Sequence, residues 1–209
     1  NWGDGATSAG SIDGQTVNGN HVYSTTGLYS VTLTIVDACG NSDTEVHTYV
    51  PVFDPGAGHI TGGGTLTTAV GDLNTSIAAN GKSNYGFQGK YLPNGRLQGS
   101  MNFHLNSAGF KFKSNVAQWM VILNDDNAIM KGTGTVNDVA GYEYIATMVD
   151  IHINNRPNKD RFRIQVRETS TGNVVYDNES LVALDQETLM QIDKGTVVIH
   201  KGNEGGSSQ

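Results

Sequence analysis

Oxygen-bearing side chains are concentrated between residues 150 and 160. Ca²⁺ takes about 6–8 oxygen ligands in flexible geometry, and a loop rich in Asn and Asp can supply them. The spacing is not that of an EF-hand. Arg156 and Lys159 oppose cation binding there, and Asn and Asp also serve ordinary tight turns. We predict a structural calcium site, with a plain turn as the alternative; its ligands are Asp150, Asn154, Asn158 and Asp160.

Two tyrosines are spaced to share one face of a strand. Tyr142 and Tyr144 are two residues apart, and alternate residues of a strand point to the same side. A strip of aromatic rings on a β-sandwich is a common geometry for binding carbohydrate, although cross-strand packing explains the spacing equally well. We predict Tyr142 and Tyr144 as ligand-binding residues.

Residue patterns for catalysis are weak. The sequence has no Gly-x-Ser-x-Gly elbow, its histidines lack zinc-site spacing, and Cys39 has no basic partner nearby in the sequence. Glu143, Glu168 and Glu179 offer carboxylates for a glycosidase pair, but exposed carboxylates on strands are far commoner than catalytic ones. We predict that the chain is not an enzyme and that it has no catalytic residues.

Short strands must carry these residues. From Leu28 to Asp37 apolar and polar side chains alternate, which predicts a half-buried strand, and residues 37–41 form a turn before a return strand over 43–50. Further strands are predicted at 83–91, 96–105, 109–114, 117–124, 127–136, 141–153, 160–168, 172–177 and 195–201. Turn residues separate them, which favours antiparallel sheets. The one helical candidate is 185–192, with Asp185 as its cap.

Composition and charge narrow the function classes. The chain has 27 glycines among 209 residues, and only 16% of its residues are charged. A net charge of −7 argues against a nucleic-acid partner and against anionic lipid, and it is compatible with Ca²⁺. No apolar run reaches the ~20 residues that span a bilayer. A single cysteine excludes an intrachain disulfide, and Asn1 in place of Met suggests a piece of a longer protein.

The first 52 residues resemble the C-terminal half of a PKD domain. The matching segments are Asn-Trp-Gly-Asp-Gly at 1–5, His-Val-Tyr at 21–23, and Gly-Leu-Tyr-Ser-Val-Thr-Leu-Thr-Ile-Val-Asp at 27–37. The resemblance implies an Ig-like β-sandwich of a bacterial surface or secreted protein. The earlier strands of that domain are missing here, so we expect the parent chain or another chain to supply them.

The remainder is similar to the post-COAP domain of bacterial surface proteins. The resemblance covers about 140 residues and depends on the order of segments at 58–64, 81–87, 110–114, 131–136, 160–164, 175–177 and 195–200. It implies an extracellular β-sandwich accessory domain and no catalytic centre.

These observations predict an all-β chain of two antiparallel β-sandwich modules. We expect a partial PKD module at 1–52, a linker at 53–57, a larger sandwich at 58–201 and a flexible tail at 202–209. The predicted function is non-catalytic adhesion, spacing or substrate attachment at the cell surface or outside the cell. The alternative is a carbohydrate-binding appendage of a secreted hydrolase. The expected partner is a polysaccharide or a surface protein, without nucleic acid or membrane insertion, and the expected cofactor is at most structural Ca²⁺.

Overall fold

Antiparallel strands make up almost all of the regular secondary structure in the described residues. The structure, a computed structural model, describes residues 1–76, 78–124, 126–154 and 159–202, without the side chains of residues 153 and 154. The chain divides into two compact units, Asn1–Val52 and Phe53–Gln209. Every strand pair is antiparallel, so the all-β prediction is confirmed. None of the described residues form a helix that is long and apolar enough to cross a membrane.

The first unit consists of two hairpins. Its strands are β1 Ser11–Asp13, β2 Thr16–Asn18, β3 Gly27–Val36 and β4 Ser42–Val52, with β1 paired to β2 and β3 paired to β4. The predicted turn after β3 is present. The Asp37 carboxylate accepts hydrogen bonds from the backbone N–H groups of Cys39 at 2.8 Å and Asn41 at 2.9 Å, which replaces strand pairing with a local turn.

The opening Gly-Asp-Gly segment also forms a turn. Gly3 and Gly5 have φ values of 86° and 93°, a conformation that favours glycine. Between them the Asp4 carboxylate accepts hydrogen bonds from the Ala6 N–H at 3.0 Å and from His21 Nε2 at 2.7 Å. The Ala6 hydrogen bond and then the His21 hydrogen bond lower the pKa of Asp4. The arrangement uses Asp4 as a structural acceptor.

The apolar face of β3 is only partly covered. Tyr29 stacks on Tyr23 with ring centroids 4.3 Å apart, but Leu33 is 40% exposed and Ile35 is 47% exposed. The predicted half-buried face is therefore wrong for the second half of β3. The physical reason is that β3 and β4 form a two-stranded sheet, and among the described residues of this unit no further strand pairs with either.

The second unit is one nine-stranded sheet. Its strands are β5 Gly58–Thr68, β6 Gly81–Tyr91, β7 Leu97–Leu105, β8 Phe110–Leu123, β9 Asn127–Val136, β10 Val139–Val149, β11 Arg161–Glu168, β12 Val174–Asp177 and β13 Lys194–Lys201. They lie in the order β12-β11-β10-β9-β8-β7-β6-β5-β13. All neighbours except β5 and β13 are consecutive in the chain, so the sheet is largely a meander.

Several elements differ from the sequence predictions. The strands β1 and β2 were not predicted, and the strand expected at 141–153 ends at Val149, before a 3-10 helix at Ile151–Asn154. β5 was not predicted as a strand, since its Gly62-Gly63-Gly64 run carries low strand propensity. The two strands expected at 109–114 and 117–124 form one strand, β8, with register shifts between Ser114 and Val116 and between Ala117 and Trp119. The helix expected at 185–192 is absent. Its segment instead lies along β11, with Phe162 N–H donating to the Met190 carbonyl at 2.9 Å.

The sheet curls so that its inner face encloses the core. Tyr85 of β6 stacks on Phe162 of β11 with centroids 4.3 Å apart, although four strands separate β6 from β11 in the sheet order. Opposite halves of one sheet therefore form the two layers of the core. Its fully buried side chains include Ile60, Leu66, Met101, Phe103, Leu105, Phe112, Met120, Met130, Tyr144, Phe162, Ile164 and Tyr176.

The outer surface of β9, β10 and β11 is covered as well; we call it the covered half. Ile129 and Ile145 point away from the core and are still 0% and 2% exposed. Residues 178–192, which we call the strap, lie beside this surface. Arg163 is 2% exposed and anchors the strap, with Nη1 donating to the Ala183 carbonyl at 3.2 Å. Its Nε and Nη2 donate to the two Asp177 carboxylate oxygens at 3.0 and 2.9 Å.

Candidate functional site

Two of the four predicted calcium ligands lie close together. Asp150 follows β10 and Asp160 precedes β11, and with His152 they present ligand atoms within 4.8 Å of one another. The side chain of Asn154 and the whole of Asn158 lie outside the described residues, so the predicted set is not tested in full. His152 is a member of the cluster that the sequence interpretation did not include.

The oxygens of Asp150 and Asp160 already accept hydrogen bonds. Asp150 accepts the N–H groups of His152 at 3.1 Å and Ile199 at 3.0 Å. Asp160 accepts the N–H groups of Ile151 at 3.1 Å and Val197 at 2.8 Å, and it contacts His152 Nδ1 at 2.9 Å. Val197 and Ile199 lie on the free edge of β13. The two carboxylates therefore satisfy backbone donors that a further strand would otherwise pair with.

The predicted tyrosine platform is wrong. Tyr144 is 0% exposed and its ring packs against Phe112 with centroids 5.4 Å apart. Tyr142 is half-buried and packs against the same core. The shared strand face is the inner face of β10, because the sheet curls around it. A buried ring offers no surface on which a sugar can stack, so these residues form part of the core.

The carboxylates considered for a glycosidase pair do not face one another. Glu143 is the register partner of Arg167, and Glu168 is the register partner of Tyr142. Neighbouring residues of a strand point to opposite faces, so Glu143 lies on the outer face and Glu168 on the inner. Glu143 accepts a hydrogen bond from Arg167 and forms an ion pair with Lys131 at 3.3 Å, and these contacts are internal to the covered half.

A different part of the outer surface has the character of a binding site. We define the basic face as the outward side of β13, β5, β6, β7 and the Phe110–Lys113 start of β8. These segments contain no aspartate or glutamate. Five lysines of the basic face form no ion pair with any carboxylate of the described residues: Lys82, Lys90, Lys111, Lys113 and Lys194.

One row of side chains crosses four strands of the basic face. His200 pairs with His59, His59 with Lys90, and Lys90 with Gln98 as successive register partners. The imidazole rings of His59 and His200 stack with centroids 4.1 Å apart. Burial, with the nearby His200 and Lys90 charges, lowers the pKa of His59. A shallow depression of ≈ 200 Å³ lies over this row and is lined by His59, Thr61, Gln88, Lys90 and Gln98 among others.

Two glycines form a shallow trough, the glycine trough, beside this row. Gly63 of β5 and Gly86 of β6 are register partners on the outward side. A Cβ at Gly86 would meet nothing within 4 Å, and at Gly63 its nearest neighbour would be the Tyr85 carbonyl at 3.4 Å. Neither residue has a positive φ. Neither space nor backbone conformation requires glycine here, and glycine in a strand interior often marks close approach by a ligand.

The sequence contained a signal for the basic face that the net charge concealed. Only one of the 20 acidic residues, Asp72, lies between Pro55 and Asn124. That charge asymmetry is readable without a structure. The sequence could not show that β13, which is distant in the chain, completes the face beside β5.

The fold and these surfaces define the chain as an all-β protein with a covered half and an open, basic face. Comparison with protein-family models, with curated proteins and with solved structures found no match for the chain. The resemblances to PKD and post-COAP domains stay predictions.

Proposed function

We propose that the chain is a non-catalytic, extracellular attachment module of a bacterial surface or secreted protein, and that it holds its parent protein on a polysaccharide. The observation that carries this proposal is the glycine trough at Gly63 and Gly86, which leaves bare backbone on an exposed strand surface that its own fold does not fill. A carbohydrate-binding appendage of a secreted hydrolase would use the same surface.

The surroundings of the trough suit a hydroxyl-rich ligand. Thr61 and Gln88 are register partners in the next outward row along β5 and β6, and Asn102 of the neighbouring strand β7 pairs with Gly86. Gln88 and Asn102 are exposed. Amide side chains offer both donors and acceptors, which match the hydroxyl groups of a sugar. A sugar ring lying over the glycines would contact backbone and amides without displacing any side chain.

The test is a graded filling of the trough. Polysaccharide pull-down and gel retardation with the full chain should detect binding, and the affinity should fall in the order Gly86, Gly86→Ala, Gly86→Thr, Gly86→Ile. The thermal midpoint should not fall along this series, because the added atoms enter open space and favour the extended backbone. A loss of affinity at an unchanged thermal midpoint therefore reports a blocked trough and not an unfolded protein. No binding to any polysaccharide, or equal binding by all four proteins, would refute the proposal.

A further inference from the structure

The charge pattern of the basic face defines its ligand more narrowly. Five of its lysines form no ion pair with any described residue and are all exposed: Lys82, Lys90, Lys111, Lys113 and Lys194. Lys131, by contrast, lies outside this face on β9 and is paired with Glu143. Exposed ammonium groups that share one face give it a single sign of charge, and such a surface attracts a ligand of the opposite sign.

The net charge of −7 does not oppose this attraction locally. Apart from Asp72, no acidic residue lies between Pro55 and Asn124, the stretch that contributes β5, β6, β7 and the start of β8 to the face. At one end of the face Asp193 accepts a hydrogen bond from Thr67 at 2.8 Å, and at the other Asp54 accepts the N–H of Gly56 at 2.7 Å. Asp138 lies at a third border, in the turn whose Asn137 accepts the Lys111 N–H at 2.9 Å. None of these acidic residues belongs to the strand segments that form the face.

The other side chains of the face distinguish among polyanions. Single-stranded nucleic acids bind by stacking bases on aromatic rings. The aromatic side chains of these strand segments point into the core: Tyr85, Phe87, Tyr91, Phe103, Phe110 and Phe112 are at most 6% exposed. Buried apolar area strengthens binding to a lipid surface, whereas here Thr, Ser, Asn and Gln lie between the lysines. Ammonium groups interspersed with amides and hydroxyls match a chain of sugars that bears acidic groups.

We propose that the basic face binds an acidic polysaccharide, one whose sugars carry carboxylate or sulfate groups, with the glycine trough receiving a sugar ring. This inference rests on the proposed function, since it names the ligand class of the same surface. The His200–His59–Lys90–Gln98 row and Lys82 lie on opposite sides of the trough, because Lys90 and Lys82 are four residues from Gly86 on either side along β6. Acidic groups on the sugars before and after the bound ring would meet these cations.

The experiment measures binding of the full chain to immobilised polygalacturonate and dextran sulfate at low and high salt. We expect binding to either polymer to weaken with salt. Lys82→Gln/Lys90→Gln should weaken binding roughly tenfold, because two exposed cationic contacts are lost. The matched control is Lys131→Gln, which removes the same type of charge from a lysine already paired with Glu143 and should bind like the unmodified protein.

The remaining arms separate the alternatives. Binding to uncharged dextran or cellulose without binding to polygalacturonate or dextran sulfate would overturn the inference and leave the attachment function standing. Absence of binding to every polysaccharide would overturn both. Tighter binding to duplex DNA or to phosphatidylserine vesicles, or an equal loss of affinity in Lys131→Gln, would also overturn the inference.

Discussion

The outer surface of the nine-stranded sheet has two regions, and they differ in whether their cationic side chains are paired with carboxylates. In the covered half, Arg163 is bound to Asp177, and Arg167 and Lys131 both contact Glu143. On the basic face, Lys82 and Lys90 have no carboxylate partner among the described residues. Charges that are satisfied inside the molecule maintain its fold, whereas unpaired exposed charges are available to a partner. The difference therefore separates cations that maintain the fold from cations to which we assign contact with the proposed ligand.

The largest expected effect comes from removing one cation in each region. Arg163→Met should destabilise the protein by about 3–5 kcal/mol, because it leaves the buried Asp177 carboxylate without its ion partner. Lys90→Met makes the same kind of change on the basic face and should alter stability by no more than about 0.5 kcal/mol. Urea unfolding of both variants measures the difference. Equal losses of stability would erase the distinction between the two regions.

Glycines sharpen the comparison between the core and the basic face. A Cβ at Gly132 would lie 2.1 Å from the Val116 carbonyl oxygen and 2.8 Å from the Tyr144 ring, so Gly132→Ala should cost about 3 kcal/mol through overpacking. Gly86→Ala should keep or slightly raise stability, because the new methyl group meets nothing. Thermal unfolding of the two variants tests this directly. A destabilised Gly86→Ala would show that the fold itself requires the trough.

The effect of Ca²⁺ on stability tests the role of Asp150 and Asp160 beside β13, the strand at which the basic face ends. If Ca²⁺ binds at Asp150 and Asp160, the thermal midpoint should be higher in Ca²⁺ than in EDTA. The added stability should be about 2.7 kcal/mol when the free Ca²⁺ concentration is a hundred times Kd. Asp150→Asn/Asp160→Asn should remove the increase. The same midpoint with and without the ion in the unmodified protein would leave both carboxylates as acceptors for the edge of β13.

The sequence predicted local features well and non-local ones poorly. The alternation at residues 28–37 located β3, and the Asp37 turn followed from residue types alone. The exposure of Leu33 and the burial of Tyr144 could not be read locally, because each depends on which strands face it. The helix predicted at 185–192 failed for the same reason: tertiary pairing with β11 outweighs its weak helical pattern. Asp150 and Asp160 were found together, but their hydrogen bonds to β13 depend on how the sheet curls.

The smallest expected effect is a pH dependence within the basic face. Burial, followed by the His200 and Lys90 charges, lowers the folded-state pKa of His59 below its ordinary value of 6.5. As pH falls through 6.5, the unfolded state therefore binds more protons at His59 than the folded state does, and the free energy of unfolding decreases. This decrease should be complete once the pH is below the folded-state pKa of His59. Comparing the unfolding midpoints of the native protein and of His59→Gln between neutral and mildly acidic pH isolates the contribution, which should vanish in the variant. An acidic polysaccharide bound beside His59 should reduce the loss, because its negative charge favours the protonated imidazole and thereby opposes the two cations that disfavour it.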